Sequence, residues 1–542
     1  MNFQEQFKYK TKKEIWDEYC GFLDLSIEEF MEIQNRLMLE QLTIWKKSQL
    51  GQSLLKNTPA ISNLKDFRRN FKLTTYKDYA DLLLTKNDDI LPSKAVIWIM
   101  TTWEGGIHPI KVAPYSANMI ESFKDNVFAC MILASSSAKY EYDVVPDSTF
   151  LYGLAPLPYA TGLLPRALSM NIDIKFLPNV EEAEKMSFKE RNKLGFKLGL
   201  KEGIDYFFGL GSVAYYISKS FADLATSKSS QHHSKISISK RIAFRYLKAK
   251  KTCKKEERDL EPKDIFKLKG FMVTGTDMDC YKDELTRLWG IKPLEVFAGT
   301  EPTCIGCEDY NRNGLYFFPD ACFYEFIKEE DMLKCIDDES YNPKTYLFNE
   351  VEVNQIYELV ISVLKGGAFM RYRVKDLYRC VGKNDKGLPR FKYIDRALDI
   401  IDIAGFTRIT QKLIDNVIKL SNLPIKNYVA IKEYKDKKPF LHMYIEIKEE
   451  SLINQAILSK VLRDHLSIYF KYLDTDYQDL KKILGIDPLK ITILKCHTFE
   501  HYQQVFKKPI RTFNPNKLDI IDLLSLQQEE EIFDPHKEVR YE

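Results

Sequence analysis

The sequence predicts an α/β protein: a large N-terminal domain of mixed sheets flanked by helices, with a small, hinged α+β domain at the C-terminus. Two observations support this prediction. Short apolar runs of strand length end abruptly in glycine-containing turns and alternate with helical patterns, which is typical of α/β folds. After about residue 397 the pattern changes to two strands in which apolar and polar residues alternate, then a helix and a further strand.

The composition is that of a globular protein. The chain has 542 residues, of which 45% are hydrophobic and 29% charged, and its formal net charge is only +3. These values exclude a disordered or collagen-like chain and give no reason to expect a polyanionic partner. No apolar run approaches the roughly 20 residues that span a bilayer, and the charged N-terminus lacks the apolar core of a secretory signal. We therefore expect a cytoplasmic protein with reduced cysteines and with neither a membrane nor a nucleic-acid partner.

The elements follow in order along the chain. Apolar residues three and four positions apart predict an amphipathic helix at 27–48, within a helical N-terminal region. From residue 94 onward the apolar runs become shorter and favour strands. A strand, a glycine turn and then a helix are predicted to recur at 95–100, 149–158, 270–276 and 294–301.

The predicted domains are a large domain at 1–396, a small mobile domain at 397–524 and a flexible polar tail at 525–542. A strongly basic stretch at 227–263 interrupts the large domain. We interpret this stretch as a solvated loop followed by a helix on the surface, in preference to a site for RNA or membranes.

Two segments at strand ends carry residues suited to nucleotide chemistry. Gly105 and Gly106 follow the first strand; paired glycines let backbone N–H groups approach an anion, which Lys111 can neutralise. Such a pair is also common in ordinary turns. Thr300 and Glu301 follow another strand, where a hydroxyl and a carboxylate can hold a phosphoryl oxygen and its Mg²⁺.

Two further segments lie later in the chain. Asp376 ends the basic run 371–376, where a carboxylate binds either two ribose hydroxyls or a neighbouring surface cation. Asp395 and Arg396 begin the stretch 395–408, which contains Gly405 and joins the two predicted domains.

Seven strings present these segments in a specific order. They are GGIHPIKVAPYS (105–116), YGLAPLPYATG (152–162), FAGTEP (297–302), GLYFFPDACFYEFI (314–327), GAFMRYRVKDL (367–377), DRALDIIDIAG (395–405) and QVFKKP (504–509). In this order they resemble the adenylate-forming superfamily of acyl-CoA synthetases, luciferases and adenylation domains. Within it, the chain resembles the auxin-responsive acyl-acid–amido synthetase family and its prokaryotic relatives, over roughly residues 30 to 512.

The resemblance implies a reaction and a set of residues. ATP and Mg²⁺ would activate a carboxylic acid as acyl-AMP, and an amine such as an amino acid, or a thiol, would then accept the acyl group. Carried over by motif, the site residues are Gly105, Gly106 and Lys111 for the β- and γ-phosphates, Thr300 for the AMP phosphate, Glu301 for Mg²⁺, Asp376 and Arg396 for ribose or phosphate, Thr274, Gly275 and Thr276 for adenine, Lys507 for the α-phosphate, and Tyr152, Pro156, Tyr159 and Thr161 for the acyl pocket. Lys507, Glu301 and Thr300 would be the catalytic residues.

The sequence departs from the family pattern in the phosphate loop and before the ribose carboxylate. Trp103 and Glu104 stand where small or hydroxylated residues are usual, and a carboxylate facing a triphosphate costs electrostatic energy. Lys375 replaces the glycine usually found before the ribose-binding aspartate. These departures keep a second hypothesis open: a catalytically impaired relative that binds a nucleotide or an acyl ligand without turnover.

Overall fold

The structure is a computed structural model that describes residues 3–6, 8–102, 110–186, 188–219, 221, 239–338, 340–405, 407–448, 455–473 and 488–529. The chain divides into two compact units, Met1–Asp395 and Arg396–Glu542. Sheets and helices alternate in both, so the predicted α/β fold class is confirmed.

Helices dominate the start of the first unit. Thr11 and Ser26 each form a capping box that begins a helix, because their hydroxyls accept an N–H three residues on and a glutamate there accepts the cap N–H. The second of these helices matches the helix predicted at 27–48. The α-helices of this unit span Phe3–Gln6, Lys12–Cys20, Ile27–Lys47, Gln49–Leu55, Leu64–Asn70, Ala80–Leu83, Ala117–Ala134, Leu164–Asn171, Val180–Ala183, Phe188–Glu202, Gly211–Lys219, Lys240–Lys255, Pro262–Ile265, Met278–Trp289 and Glu329–Asp337.

Strands β3 to β14 of the first unit form one mixed sheet, and β1 and β2 pair separately as a two-stranded antiparallel sheet. The bounds are β1 (Ala95–Thr102), β2 (Ile110–Ser116), β3 (Ser148–Gly153), β4 (Ile174–Leu177), β5 (Tyr206–Leu210), β6 (Gly270–Thr274), β7 (Leu294–Gly299), β8 (Thr303–Glu308), β9 (Leu315–Phe317), β10 (Cys322–Lys328), β11 (Tyr346–Leu347), β12 (Ile356–Val363), β13 (Tyr372–Lys383) and β14 (Pro389–Arg396). The order across the large sheet is β11-β10-β12-β13-β14-β9-β8-β7-β6-β5-β3-β4.

The direction of pairing changes at β7. Strands β4, β3, β5, β6 and β7 pair in parallel, whereas β7 pairs with β8 antiparallel. The helix predicted to follow the strand at 294–301 is therefore wrong, because the chain turns at Thr300–Glu301 and returns as β8. All six residues of β8 are buried, so this apolar segment is covered on both faces of the sheet.

The first strand pattern also differs in detail from the prediction. β1 covers the predicted strand at 95–100, but β2 comes before the helix Ala117–Ala134. The strands predicted at 149–158 and 270–276 correspond to β3 and β6, and a helix follows each of them. The helix Lys240–Lys255 occupies the second part of the basic stretch 227–263, whose residues 227–238 lie outside the described residues.

The second unit contains two small sheets and four described helices. β15 (Ile401–Ile403) pairs with β16 (Thr407–Ile409), and β17 (Ile425–Lys435), β18 (Lys438–Ile447) and β19 (Leu489–Ile493) form a three-stranded sheet in that order. The described helices span Gln411–Ser421, Gln455–Leu473, Thr498–Phe506 and Lys517–Glu529. The last of these enters the predicted tail at 525–542, and residues 530–542 lie outside the described residues. None of the described helices is long and apolar enough to cross a membrane.

Candidate active site

A cluster of polar side chains lies where β7 ends. Open α/β sheets bind ligands outside the carboxyl ends of their parallel strands. Thr300 and Glu301 form the turn after β7, and Thr274–Thr276 form the turn after the neighbouring β6. The predicted adenine and phosphate residues therefore come from adjacent strand ends of one sheet.

Glu301 is at the centre of this cluster. Its Oε1 accepts a hydrogen bond of 2.6 Å from the Tyr372 hydroxyl and one of 3.3 Å from Lys111 Nζ. Lys111 Nζ also donates to the Tyr372 hydroxyl at 3.3 Å. The carboxylate and the ammonium group are both mostly buried, with 10% and 14% of their side chains exposed. Three strands thus bring a cation, a carboxylate and a phenol together.

Two buried tyrosines hold this cluster in place. The Tyr115 hydroxyl donates to the Thr300 carbonyl at 2.8 Å, which anchors the turn that carries Glu301. Tyr76 accepts the Val112 N–H at 2.6 Å next to Lys111, and the Lys111 ammonium lies 5.7 Å from the Tyr76 ring centre. Burial raises the pKa of Tyr76 to about 12 and raises that of Tyr115 as well, so both phenols stay protonated and able to donate.

The basic run 371–376 divides into structural and site residues. Arg371 donates to both oxygens of Glu325, at 3.0 and 3.2 Å, and Arg373 pairs in the same way with Glu358. Both arginines therefore stabilise the sheet and are not available to a ligand. Between them, Tyr372 points to Glu301, because neighbouring residues of a strand face opposite sides of the sheet.

Asp376 lies beside a bulge in β13. The pairing of β12 with β13 is irregular between Glu358 and Val360, and Lys375 in the bulge has a φ of +65°. This left-handed conformation is the one that favours glycine, although a lysine occupies the position here. Asp376 itself is 3% exposed. Its role in binding ribose stays a prediction.

The predicted adenine loop connects β6 to the helix Met278–Trp289. Gly275 has a φ of +116°, which requires glycine, and Asp277 is also left-handed. Thr274 and Thr276 are buried, and the Thr276 hydroxyl lies 3.5 Å from an Asp277 carboxylate oxygen. The left-handed residues and the buried threonines therefore define the conformation of this loop at the end of β6.

The predicted acyl-pocket residues lie in two different environments. Tyr152 is buried, with its ring 5.4 Å from the Arg191 guanidinium and edge-on to Phe176. Burial raises the pKa of Tyr152 to about 12, and its hydroxyl has no hydrogen-bond partner among the described residues. Tyr159 is 44% exposed, whereas Thr161 donates to the Ala155 carbonyl at 3.0 Å and Pro156 is half-buried. Their role in an acyl pocket stays a prediction.

Two predicted residues belong to the second unit. The Arg396 guanidinium lies 4.0 Å from Asp402, a buried carboxylate that also faces Arg408 at 3.5 Å. Lys507 is exposed and ends the helix Thr498–Phe506 with a φ of +55°. Both roles stay predictions.

The predicted phosphate loop lies outside the described residues. This concerns Gly105 and Gly106 and the unusual Trp103 and Glu104, all within residues 103–109. Lys111, just beyond this segment, is described and faces Glu301.

The donor atoms fit a magnesium ion that arrives with a nucleotide. Among the described residues, no group of three or more His, Cys, Asp or Glu side chains could hold a metal ion. Mg²⁺ is commonly bound by one or two carboxylates together with phosphate oxygens and water. Glu301 supplies one such carboxylate, so it could hold Mg²⁺ in a complex with ATP.

Sequence patterns assign no role to three tyrosines of this cluster. Tyr372 lies inside a segment chosen for its arginines and aspartate, and Tyr115 lies inside the string after the glycine pair. An aromatic residue in a strand is usually a core residue, so periodicity alone does not distinguish it. Tyr76 comes from the helical N-terminal region, and no local signal connects it to β2.

Comparisons with known proteins agree with this fold. Residues 315–396 match the family model described as the GH3 family central domain. The structure of AtGH3.15 acyl acid amido synthetase in complex with 2,4-DB is 13% identical, with a TM-score of 0.52 over 95% of this chain and 96% of that one. A second structure of GH3.15 acyl acid amido synthetase is 15% identical, with a TM-score of 0.50 over 92% and 94%.

The structure of a CoA ligase is similar as well. 2-Hydroxyisobutyryl-CoA ligase in complex with 2-HIB-AMP and CoA is 14% identical, with a TM-score of 0.55 over 87% of each chain. A comparison with curated protein sequences gives no match.

The chain thus shares the fold of these acyl acid amido synthetase and CoA ligase structures. Residues 315–396 match the central domain of the GH3 family, and the resemblance inferred from the sequence is confirmed to this extent.

Proposed function

We propose that the protein is an ATP-dependent, AMP-forming ligase that activates a carboxylic acid as acyl-AMP and transfers the acyl group to an amine, such as an amino acid, or to a thiol. The observation that carries the proposal is the contact of Lys111, Glu301 and Tyr372 at the end of β7. A cation and a metal-binding carboxylate are the groups that a triphosphate needs at a strand end. The superfamily fold makes this interpretation specific.

The first half-reaction joins the acid to the nucleotide. A carboxylate oxygen of the acid attacks the α-phosphorus of ATP, a C–O–P linkage forms, and pyrophosphate leaves as the bond between the α- and β-phosphates breaks. Such a step needs alignment and charge neutralisation more than covalent help from the protein. Lys111 would neutralise phosphate oxygens, Thr300 would bind the α-phosphate, and Glu301 would hold Mg²⁺.

The second half-reaction consumes the adenylate. The amine nitrogen or thiol sulfur attacks the acyl carbonyl carbon, and AMP leaves with the electrons of the broken C–O bond. Lys507 would act only in the first half-reaction if the second unit rotates between the two steps. Asp376 would bind the ribose hydroxyls, and Arg396 would assist phosphate or ribose.

The unusual phosphate loop favours one alternative, a relative that binds ligands without turnover. Glu104 would then repel the triphosphate, and its removal would restore ATP binding. Calorimetry of wild type and Glu104→Thr with ATP and Mg²⁺ separates the two functions. Binding by the variant alone would contradict the ligase.

The direct test traps the adenylate whatever the natural acceptor is. The full chain is incubated with ATP, Mg²⁺, hydroxylamine and a panel of aliphatic and aromatic carboxylic acids, and hydroxamate is measured together with pyrophosphate. We expect both products with at least one class of acid, and their loss in Glu301→Gln. Glu40→Gln, which alters an exposed ion pair with Arg36, is the matched control. Pyrophosphate release independent of any acid would contradict the proposal.

A further inference from the structure

The helix Lys240–Lys255 has an inner and an outer face. The Ser239 hydroxyl caps its first turn by accepting the Ile242 N–H. Ile242, Ala249 and Cys253 are buried, so the helix is attached to the first unit along one stripe. Arg245 strengthens this attachment by donating to the Ile265 carbonyl at 3.2 Å. The opposite face is free of this packing.

Two large apolar side chains lie on the outer face. Phe244 is 71% exposed and Leu247 is 67% exposed, and both values stand out among the large hydrophobic residues of the described chain. Residues three positions apart on a helix are neighbours, so the two side chains form one apolar patch. A helix that already buries an inner stripe gains nothing for folding from this second patch.

Lysines surround the patch. The helix contains no acidic residue, and at about 100° per residue Lys251 falls on the same face, with Lys248 and Lys254 on its two sides. Lys240, Lys250 and Lys255 complete the set. None of these lysines forms an ion pair with any residue that the structure describes. The outer face therefore combines concentrated positive charge with exposed apolar surface.

We propose that this face docks the protein on the surface of a membrane that contains anionic phospholipid. Lysine ammonium groups meet the phosphate headgroups, while Phe244 and Leu247 enter the boundary between headgroups and acyl chains. Lysine stems are long enough to lie along apolar surface while their charges stay in the headgroup layer. A nucleic acid satisfies the charges equally well, but its backbone offers nothing to an exposed leucine. The combination, not the charge alone, favours the membrane.

The attachment is reversible and peripheral. Two apolar side chains give little binding by themselves, so the interaction depends on the anionic lipid and weakens with salt. The expectation of no membrane partner rested on the lack of a spanning apolar run, which a helix lying on the surface does not need. This inference is independent of the proposed ligase activity, because none of these residues belongs to the candidate active site.

The test is co-sedimentation of the full chain with vesicles. Vesicles of phosphatidylcholine alone are compared with vesicles that also contain phosphatidylglycerol, at low and at high NaCl. We expect binding only to the anionic vesicles, and its loss as the Debye length falls from about 10 Å at 0.1 M to about 3 Å at 1 M salt. Circular dichroism of every variant verifies that it is folded.

Two variants address the two parts of the face. Phe244→Ser/Leu247→Ser removes the apolar patch, and Lys248→Glu/Lys251→Glu reverses two charges; each is expected to weaken partitioning by about tenfold or more. The matched control is Val461→Ser/Ile468→Ser, which alters two exposed apolar residues of the helix Gln455–Leu473 and should leave binding unchanged.

Three results would overturn the proposal. One is the absence of binding to anionic vesicles at low salt. Another is equal vesicle binding by wild type and by the variant that lacks the apolar patch. The third is binding to single-stranded RNA with no binding to vesicles, which would assign the lysines to a nucleic acid.

Discussion

Two adjacent residues of one segment, Arg371 and Tyr372, hold two carboxylates in different ways. Arg371 binds both oxygens of Glu325, which also accepts hydrogen bonds from Thr345 at 2.7 Å and Arg68 at 3.1 Å. Tyr372 and Lys111 both contact a single oxygen of Glu301. One carboxylate is paired with two arginines, whereas a neutral phenol and a lysine meet at one oxygen of the other.

The difference separates a structural ion pair from a site. A buried carboxylate with two guanidinium partners is fully used by the fold, and removal of one member leaves an uncompensated charge. At Glu301 a phenol and a single lysine share one oxygen, and a metal ion is a cation that can take the place of that lysine. Charge and burial alone do not make this distinction, because both carboxylates are buried and paired.

The largest expected effect is on folding. Glu325→Gln leaves Arg371 and Arg68 buried beside a neutral amide and should lower the free energy of unfolding by about 3–5 kcal/mol. Urea denaturation of wild type and variant measures this difference in the free energy of unfolding. Glu40→Gln, at an exposed pair with Arg36, should cost about 0.5 kcal/mol or less. If Glu325→Gln lowered the free energy of unfolding as little as Glu40→Gln does, the Glu325 ion pair would not be a structural one, and the contrast with Glu301 would fail.

The second effect is on activity. Glu301→Gln keeps the size of the side chain but removes the charge that would hold Mg²⁺, so acid-dependent pyrophosphate release should fall about a hundredfold or more. The free energy of unfolding should fall by less than the roughly 3–5 kcal/mol expected at Glu325, because Lys111 keeps the Tyr372 hydroxyl as a hydrogen-bond partner. A large loss of stability with normal turnover of the folded fraction would contradict the assignment.

The third effect is smaller and concerns Tyr372. Tyr372→Phe removes the hydroxyl that orients Glu301 but keeps the ring, which packs against Phe369 with centres 5.0 Å apart. Adenylation should fall about tenfold, the equivalent of about 1.4 kcal/mol, and the Mg²⁺ concentration for half-maximal rate should rise. A lower rate with an unchanged Mg²⁺ dependence would mean that Tyr372 does not position the metal ligand.

The smallest effect is a dependence of stability on pH. Burial by itself raises the pKa of Glu325, but Arg371 and Arg68 outweigh it and hold the pKa below its ordinary value of 4.5. A carboxyl with a depressed pKa stabilises the fold above its ordinary value and loses that contribution as the pH falls through the depressed value. The stability gap between wild type and Glu325→Gln should therefore be constant near neutral pH and narrow below pH 4.5. A gap that widens in acid would contradict this sign.

The sequence predicts the fold class and three strands of the parallel half of the sheet, β3, β6 and β7, but not β4 and β5. The runs at 149–158 and 270–276, like the run at 95–100 that forms β1 of the separate two-stranded sheet, are short, apolar and bounded by turns, so period and length are enough to identify them. The run at 294–301 looks the same locally but is followed by an antiparallel strand. That difference depends on β8 lying between two other strands, a long-range property that no local pattern contains.

The candidate site is predictable only where a motif exists. Lys111 and Glu301 were selected from separate strings, and the structure places them in contact. Whether they act as predicted is untested. Tyr76 and Tyr115 could not be selected, because their role is to hold other site residues and depends on contacts across the chain. A motif can also mislead in the other direction. Arg371 lies in a string chosen for nucleotide binding, but its guanidinium forms a buried ion pair with Glu325 that stabilises the fold.

The left-handed Lys375 has a consequence for recognising distant relatives of this chain. A pattern that demands glycine before the aspartate rejects this sequence, although the backbone at that position has the shape for which glycine is normally selected. A positive φ is the property that the position has in this chain, and lysine adopts it here without being glycine. A search that scores backbone conformation at this position, with lysine and asparagine admitted beside glycine, would retain members that a strict motif discards.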